Sequence, residues 1–154
     1  MEVATKVSHT FSVSLKWDNA VNGAVVRSGK RTPLVVASPP EFGGTDTAWS
    51  PEHLLAASVS SCYSTTFFYF AKLFKVKVRS FSVEVEMEIE KGDKGPFVAH
   101  RFILRPKIKL AGATEQSVID TLLEKTIQYC IISNSVKGEE IVEATIEVEP
   151  TEKD

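Results

Sequence analysis

The sequence predicts a single α+β domain in which antiparallel strands are interrupted by two helices. Two stretches, 7–17 and 81–110, alternate apolar and polar residues with a period of two, the signature of strands with one buried face. Two others, 51–74 and 114–131, read as helices, the first from its start signals and the second from apolar residues at three-to-four spacing. The chain's 154 residues, 43% apolar and 25% charged, suit one ordinary core.

Each element has its own warrant. Val7, His9, Phe11, Val13, Leu15 and Trp17 alternate with Ser and Thr hydroxyls and Lys16, which predicts a first strand over this whole run. Shorter strands follow at 24–27 and 34–37, separated by the turn formers Asn19, Asn22, Gly23 and Gly29, so an antiparallel meander is expected. From Ser38 to Ser50 the prolines and glycines of SPPEFGGTDTAWS exclude helix and discourage strand pairing. A structureless connection of that length is more often functional than not.

Ser50-Pro51-Glu52 then supplies an N-cap hydroxyl, a proline at the first helical position and a carboxylate at the positive end of the helix dipole. The helix should run to about Phe74. Its middle, Ala56 to Cys62, is built of small side chains that allow another backbone to approach closely. Glu84, Glu86, Glu88 and Glu90 then alternate with apolar residues, and after a Gly-containing turn Arg101, Arg105, Lys107 and Lys109 alternate with Phe102, Leu104, Ile108 and Leu110, so acidic and basic faces should meet across a hairpin. A second helix from about Thr114 to Ile131 carries Cys130 on its apolar stripe, and Val142, Ala144, Ile146 and Val148 predict one last strand.

Composition narrows the function. Eighteen Lys+Arg against twenty Asp+Glu give a net charge of −2 with no basic concentration, which argues against nucleic acid as a partner. The longest apolar stretch, Phe67–Phe74, is broken by Lys72 and is far short of the roughly 18 residues of a membrane span. The opening residues lack a basic segment leading into an apolar one, so a reducing cytoplasm is the expected compartment. Cys62 and Cys130 allow one internal pair, and the scattered His9, His53 and His100 form no zinc spacing with them; neither a metal nor a cofactor is expected. On their own the two thiols also fit small buried hydrophobes.

Gly43-Gly44, the run Ser50-Pro51-Glu52-His53-Leu54-Leu55-Ala56-Ala57, Ser61-Cys62 and the later Cys130-Ile131-Ile132-Ser133-Asn134 together resemble the OsmC/Ohr family of osmotically inducible and organic hydroperoxide resistance proteins. The resemblance covers nearly the whole chain, including element order. It implies an OsmC-like fold with two central helices, an intertwined homodimer, and a thiol peroxidase reducing organic hydroperoxides, with Cys62 as the peroxidatic and Cys130 as the resolving cysteine. Glu52 matches the glutamate that orients the family's catalytic arginine, and an external dithiol, for family members a lipoylated protein, resets the disulfide.

Physical reasoning adds two constraints. Glu52 and Cys62 are ten residues apart, or about 15 Å along one straight helix, so they do not touch within one chain. Thiolate chemistry about three turns inside the helix, beyond the reach of its dipole, also needs a cation. Neither position at which the family carries its arginine holds a base here, the corresponding stretches being Asp18 to Gly23 and Pro39 to Phe42; Arg27 is the preferred substitute and Arg31 the second. The alternative to catalysis is a dimer of the same fold that binds a small hydrophobic ligand, the aromatic run Phe67 to Phe70 lining its pocket.

Overall fold

The structure, a computed structural model, describes residues 6–150. Residues 1–5, on which part of the expectation about the opening of the chain rests, lie outside them. Two compact units meet in sequence between His53 and Leu54.

The first unit is an antiparallel meander of β1 (Ser14–Asp18), β2 (Gly23–Arg27) and β3 (Leu34–Val36), in that spatial order. Asp18 ends β1 by capping a single 3-10 turn through Oδ1 to the Ala20 amide at 2.9 Å, and Asn22 takes the left-handed conformation that starts β2. The first strand is shorter than its alternation predicts: residues 7–13 form no strand, and Phe11 is 92% exposed. The pattern marks an apolar face, but a strand also needs a neighbouring backbone, and β2 ends at Arg27 opposite Ser14. The loop that follows is anchored at both ends, because the Ala37 amide donates to Trp49 O and the Trp49 amide to Val35 O. Gly43 closes its 3-10 turn (Pro40–Phe42) at a φ of 76°, while a Cβ on Gly44 would overlap the Ser38 carbonyl, which explains this glycine pair.

Helix α1 spans Pro51–Leu73, as its start signals predict. The buried Ser50 hydroxyl accepts the His53 amide at 3.2 Å, an N-cap bond to the third helical residue. In the small-residue middle, the hydroxyls of Ser60, Ser61, Ser64 and Thr65 all bond back to carbonyls one turn earlier, so this polar stretch satisfies itself.

The second unit packs α1 and α2 (Gln116–Tyr129) with a sheet of β4 (Val78–Lys91), β5 (Phe97–Ala111), β6 (Glu139–Val142) and β7 (Thr145–Glu149). The β4–β5 hairpin is antiparallel and carries the expected charge ladder, with Arg101 on Glu88, Arg105 on Glu86 and Lys107 on Glu84. All these groups are solvent-accessible, so the ladder specifies pairing more than it stabilises.

Two expectations are corrected here. The last strand is two strands, and both run parallel to β5, making the sheet mixed. Pro106 accounts for the break: lacking an N–H, it falls where β6 has ended at Val142 opposite Leu104 and β7 has yet to begin at Thr145 opposite Lys107. The second helix also stops at Tyr129, leaving Cys130 as its extended C-terminal cap.

Phe67, Phe70 and Ala71 of α1 meet Ile108 and Leu110 of β5 and Ile119 and Leu122 of α2 in one buried cluster. Val59 and Tyr63 meet Phe102 and Leu104 in a second. The buried positions of α1, 59, 63, 67, 70 and 71, recur at helical spacing and leave Cys62 on the shoulder of the stripe.

Candidate active site

The two cysteines, 68 positions apart in the sequence, meet in the second unit. Cys62 is half-buried on α1, and its sulfur accepts the Ile132 amide at 3.5 Å. Cys130 is fully buried, and the thiols share a hydrogen bond. The chain brings Ile132 to Cys62 because α2 ends at Tyr129 and the next residues curl into a 3-10 turn, Ser133–Ser135. Asn134 fixes that curl, its side-chain amide donating to Gln128 O, a carbonyl that a helix end leaves unpaired, and to Cys130 O, both at 2.9 Å, while its backbone N–H also donates to Cys130 O at 3.0 Å. The Ser133 hydroxyl donates to the Cys130 sulfur at 3.0 Å. Both polar residues of the Cys-x-x-Ser-Asn motif therefore have a structural task.

Burial, and then the hydrogen bond with Cys62, push the Cys130 thiol above its ordinary range, while the hydroxyl and amide of Ser133 pull the other way.

Two further polar groups of the second unit are buried without a partner among the described residues. Tyr63, next to Cys62 on α1, is entirely buried and its hydroxyl has no hydrogen-bond partner among the described residues. Burial first, then the charges of Glu140 and Cys130, push its phenol well above the usual range. Glu140 on β6 buries both carboxyl oxygens, again without a partner among the described residues. Neither was singled out from the sequence. For Glu140 a signal existed: it shares the even-numbered parity of Val142, Ile146 and Val148, and so puts an acid on the apolar face.

The other expected residues lie elsewhere. Glu52 occupies the first turn of α1, its Oε2 buried and unpartnered among the described residues, and one helix keeps it ten residues from Cys62. Arg27 ends β2 and Arg31 follows the Gly29 turn; both are exposed members of the first unit. No three His, Cys, Asp or Glu among the described residues gather as a metal site. No helix among them is long and apolar enough to cross a membrane.

Residues 44–145 match the family model of the OsmC-like proteins. The chain belongs to the OsmC family. No curated protein matches it. Among solved structures, an OsmC-like protein of unknown function from Vibrio cholerae superposes with a TM-score of 0.80 at 18% identity, over 90% of this chain and all of that one. An organic hydroperoxide resistance protein from Elizabethkingia anophelis, with thiocyanate bound, gives 0.72 at 24% identity over 94% of this chain and all of that one. A third, from Legionella pneumophila and also described as an organic hydroperoxide resistance protein, gives 0.71 at 22% over 93% and 100%. At these identities the OsmC fold is what is shared.

Within this OsmC-family chain the unequal burial of the thiols sets what they can do. Cys62 is open to an incoming reagent, whereas Cys130 is closed to solvent yet in contact with Cys62. A sulfur oxidised at position 62 has an internal thiol waiting for it, and closure to the ~2.05 Å of a disulfide requires only a local approach.

Proposed function

We propose that this chain is a thiol-dependent peroxidase that reduces organic hydroperoxides to alcohols. The observation that carries the reading is the contact between a half-buried thiol, Cys62, and a fully buried one, Cys130. The Cys62 thiolate attacks the outer peroxide oxygen, the O–O bond breaks, and the departing alkoxide takes a proton to become the alcohol, leaving Cys62 as a sulfenic acid. Cys130 then attacks the Cys62 sulfur, the S–O bond breaks and water leaves. An external dithiol, with a lipoylated protein as the candidate donor, reduces the disulfide and is itself oxidised.

The solved hydroperoxide resistance proteins of the same fold support this reading. An intertwined homodimer is part of it. The apolar side chains of Phe11, Val13, Leu15 and Trp17 in the first unit, and of Tyr69, Leu73, Tyr129 and Ile131 in the second, are mostly exposed in the single chain, more than a soluble monomer ordinarily leaves uncovered. In the proposed site Arg27, or else Arg31, supplies the cation for Cys62. The unpartnered buried oxygen of Glu52 supports its task as the carboxylate that orients that cation.

Consumption of cumene hydroperoxide with dithiothreitol, compared with hydrogen peroxide, tests the function. Turnover is expected with both thiols present and faster on the organic substrate. No turnover on either, with a small apolar molecule retained through purification, would instead favour the ligand-binding dimer.

A further inference from the structure

Four hydroxyls flank Cys62 on α1, those of Ser60, Ser61, Ser64 and Thr65, and each donates its one proton to a backbone carbonyl about one turn earlier, so none is left for the Cys62 sulfur. The sulfur takes its fixed donor from outside the helix, the Ile132 amide at 3.5 Å. A main-chain N–H is an obligatory donor, and the later amides of the same curl all find carbonyls: Asn134 that of Cys130 at 3.0 Å, Ser135 and Val136 that of Ile132 at 2.9 and 3.1 Å. Ile132 turns its own N–H to a thiol instead. Two features hold it there. Asn134 ties the curl to the end of α2 through its side-chain amide, on Gln128 O and Cys130 O. The Ile132 side chain packs on the buried cluster that includes Val59 and Tyr63, the α1 residues that stand before and after Cys62. Every one of these contacts lies within the second unit.

We propose that the backbone N–H of Ile132 is the catalytic donor that favours Cys62 as a thiolate, with Asn134 as the residue that positions it. The place of this donor in a catalytic cycle rests on the peroxidase reading. A neutral thiol sulfur is a weak acceptor, whereas a thiolate carries a full negative charge, so a donor held at a fixed position favours the ionised form. The amide has no titratable proton, unlike the neighbouring Cys130 thiol, and therefore acts at every working pH. It also needs no rearrangement when the charge appears, because the curl is already closed around it. A cation at this site would act by attraction over a distance, whereas the amide supplies a directed bond at the sulfur itself, and the two are separable by substitution. In the cycle Ile132 raises the fraction of Cys62 able to attack a peroxide and takes no proton itself.

Iodoacetamide tests the proposal without peroxide: the Cys62 thiolate displaces iodide, and peptide mass spectrometry reads the site of alkylation. Cys130 is a natural ligation point, so the full chain can be assembled from 1–129 and a synthetic 130–154 in which an ester replaces the peptide bond between Ile131 and Ile132, removing the N–H and keeping the side chain. The ester chain should be alkylated at Cys62 about ten-fold more slowly than the all-amide chain at about pH 7. At about pH 10.5, roughly two units above the ordinary thiol value of ~8.5, ionisation needs no help and the two rates should agree within about two-fold. Asn134→Ala should show the same split more weakly, and it decides the matter if the ester chain does not refold. Equal rates at pH 7 in a folded variant would overturn the proposal. So would slowing by the same factor at both pH values, which marks altered access to Cys62 and not altered ionisation. A wild type that ignores cumene hydroperoxide while the variants show the split removes the peroxidase reading and leaves the role of the amide standing. Peroxide turnover with equal alkylation rates does the reverse.

Discussion

Ser133 and Cys130 are joined by a 3.0 Å hydrogen bond from hydroxyl to sulfur, made within one turn of chain just beyond the end of α2. It works against the burial that raises the Cys130 thiol. Ser133→Ala removes this donor, so Cys130 should ionise less readily and close the disulfide several-fold more slowly, about three- to ten-fold for one lost hydrogen bond to a charged sulfur. Rapid acid quench after a peroxide pulse measures closure. Oxidation of Cys62 should keep its rate; an unchanged closure rate would show that the bond has no kinetic role.

The raised Cys130 thiol also fixes the sign of an alkaline effect on stability. Because its native pKa lies above the unfolded value, the contribution is complete below the ordinary thiol range and is lost as pH rises through the native pKa. Above about pH 8.5 the unfolded chain releases the proton first, and reduced protein should lose up to about 1.4 kcal/mol per pH unit from this group. Tyr63, shifted the same way, adds its loss above about pH 10. Melting curves under a reducing agent check this: Cys130→Ala should flatten the first part of the decline, and equal slopes would contradict the assignment.

Much of this architecture was legible in the chain because local chemistry and tertiary packing agree. Ser50-Pro51-Glu52 signals a helix start, and the Ser50 hydroxyl does cap it. The Glu and Arg/Lys alternation signals a paired hairpin, and the ion pairs form. What was not legible depends on neighbours. Residues 7–13 alternate like a strand but have no strand partner among the described residues. Cys130 keeps the apolar spacing of α2 yet lies past its end, because Asn134 satisfies a terminal carbonyl and turns the chain. The direction of β6 and β7 was hidden because periodicity carries no information on whether strands run parallel, and the gap at Pro106 shows only in the register. In the site, motif spacing pointed to both thiols, but Tyr63 gave no signal, since an aromatic residue in a helix reads as ordinary core.

The cation proposed for Cys62 has a direct probe. Arg27→Met should slow iodoacetamide alkylation of Cys62 at neutral pH by about ten-fold, with Arg31→Met as the second candidate. Glu52→Gln should act in the same direction but less, because it removes an orienting carboxylate and not the charge. If both arginine variants match wild type, the cation comes from elsewhere.

The exposed apolar side chains of both units lead to an oligomeric prediction. Light scattering coupled to size exclusion should find a dimer down to low micromolar concentration. A folded monomer there would remove the shared interface from the account.

The central claim is the division of labour between Cys62 and Cys130, and intact mass spectrometry after one equivalent of cumene hydroperoxide tests it most directly. Wild type should become lighter by two hydrogens through a Cys62–Cys130 disulfide. Cys130→Ser should gain oxygen at Cys62, progressing to higher oxides with excess peroxide, and Cys62→Ser should stay unchanged. Oxygen appearing first on Cys130, or wild-type thiols that survive the peroxide intact, would contradict it.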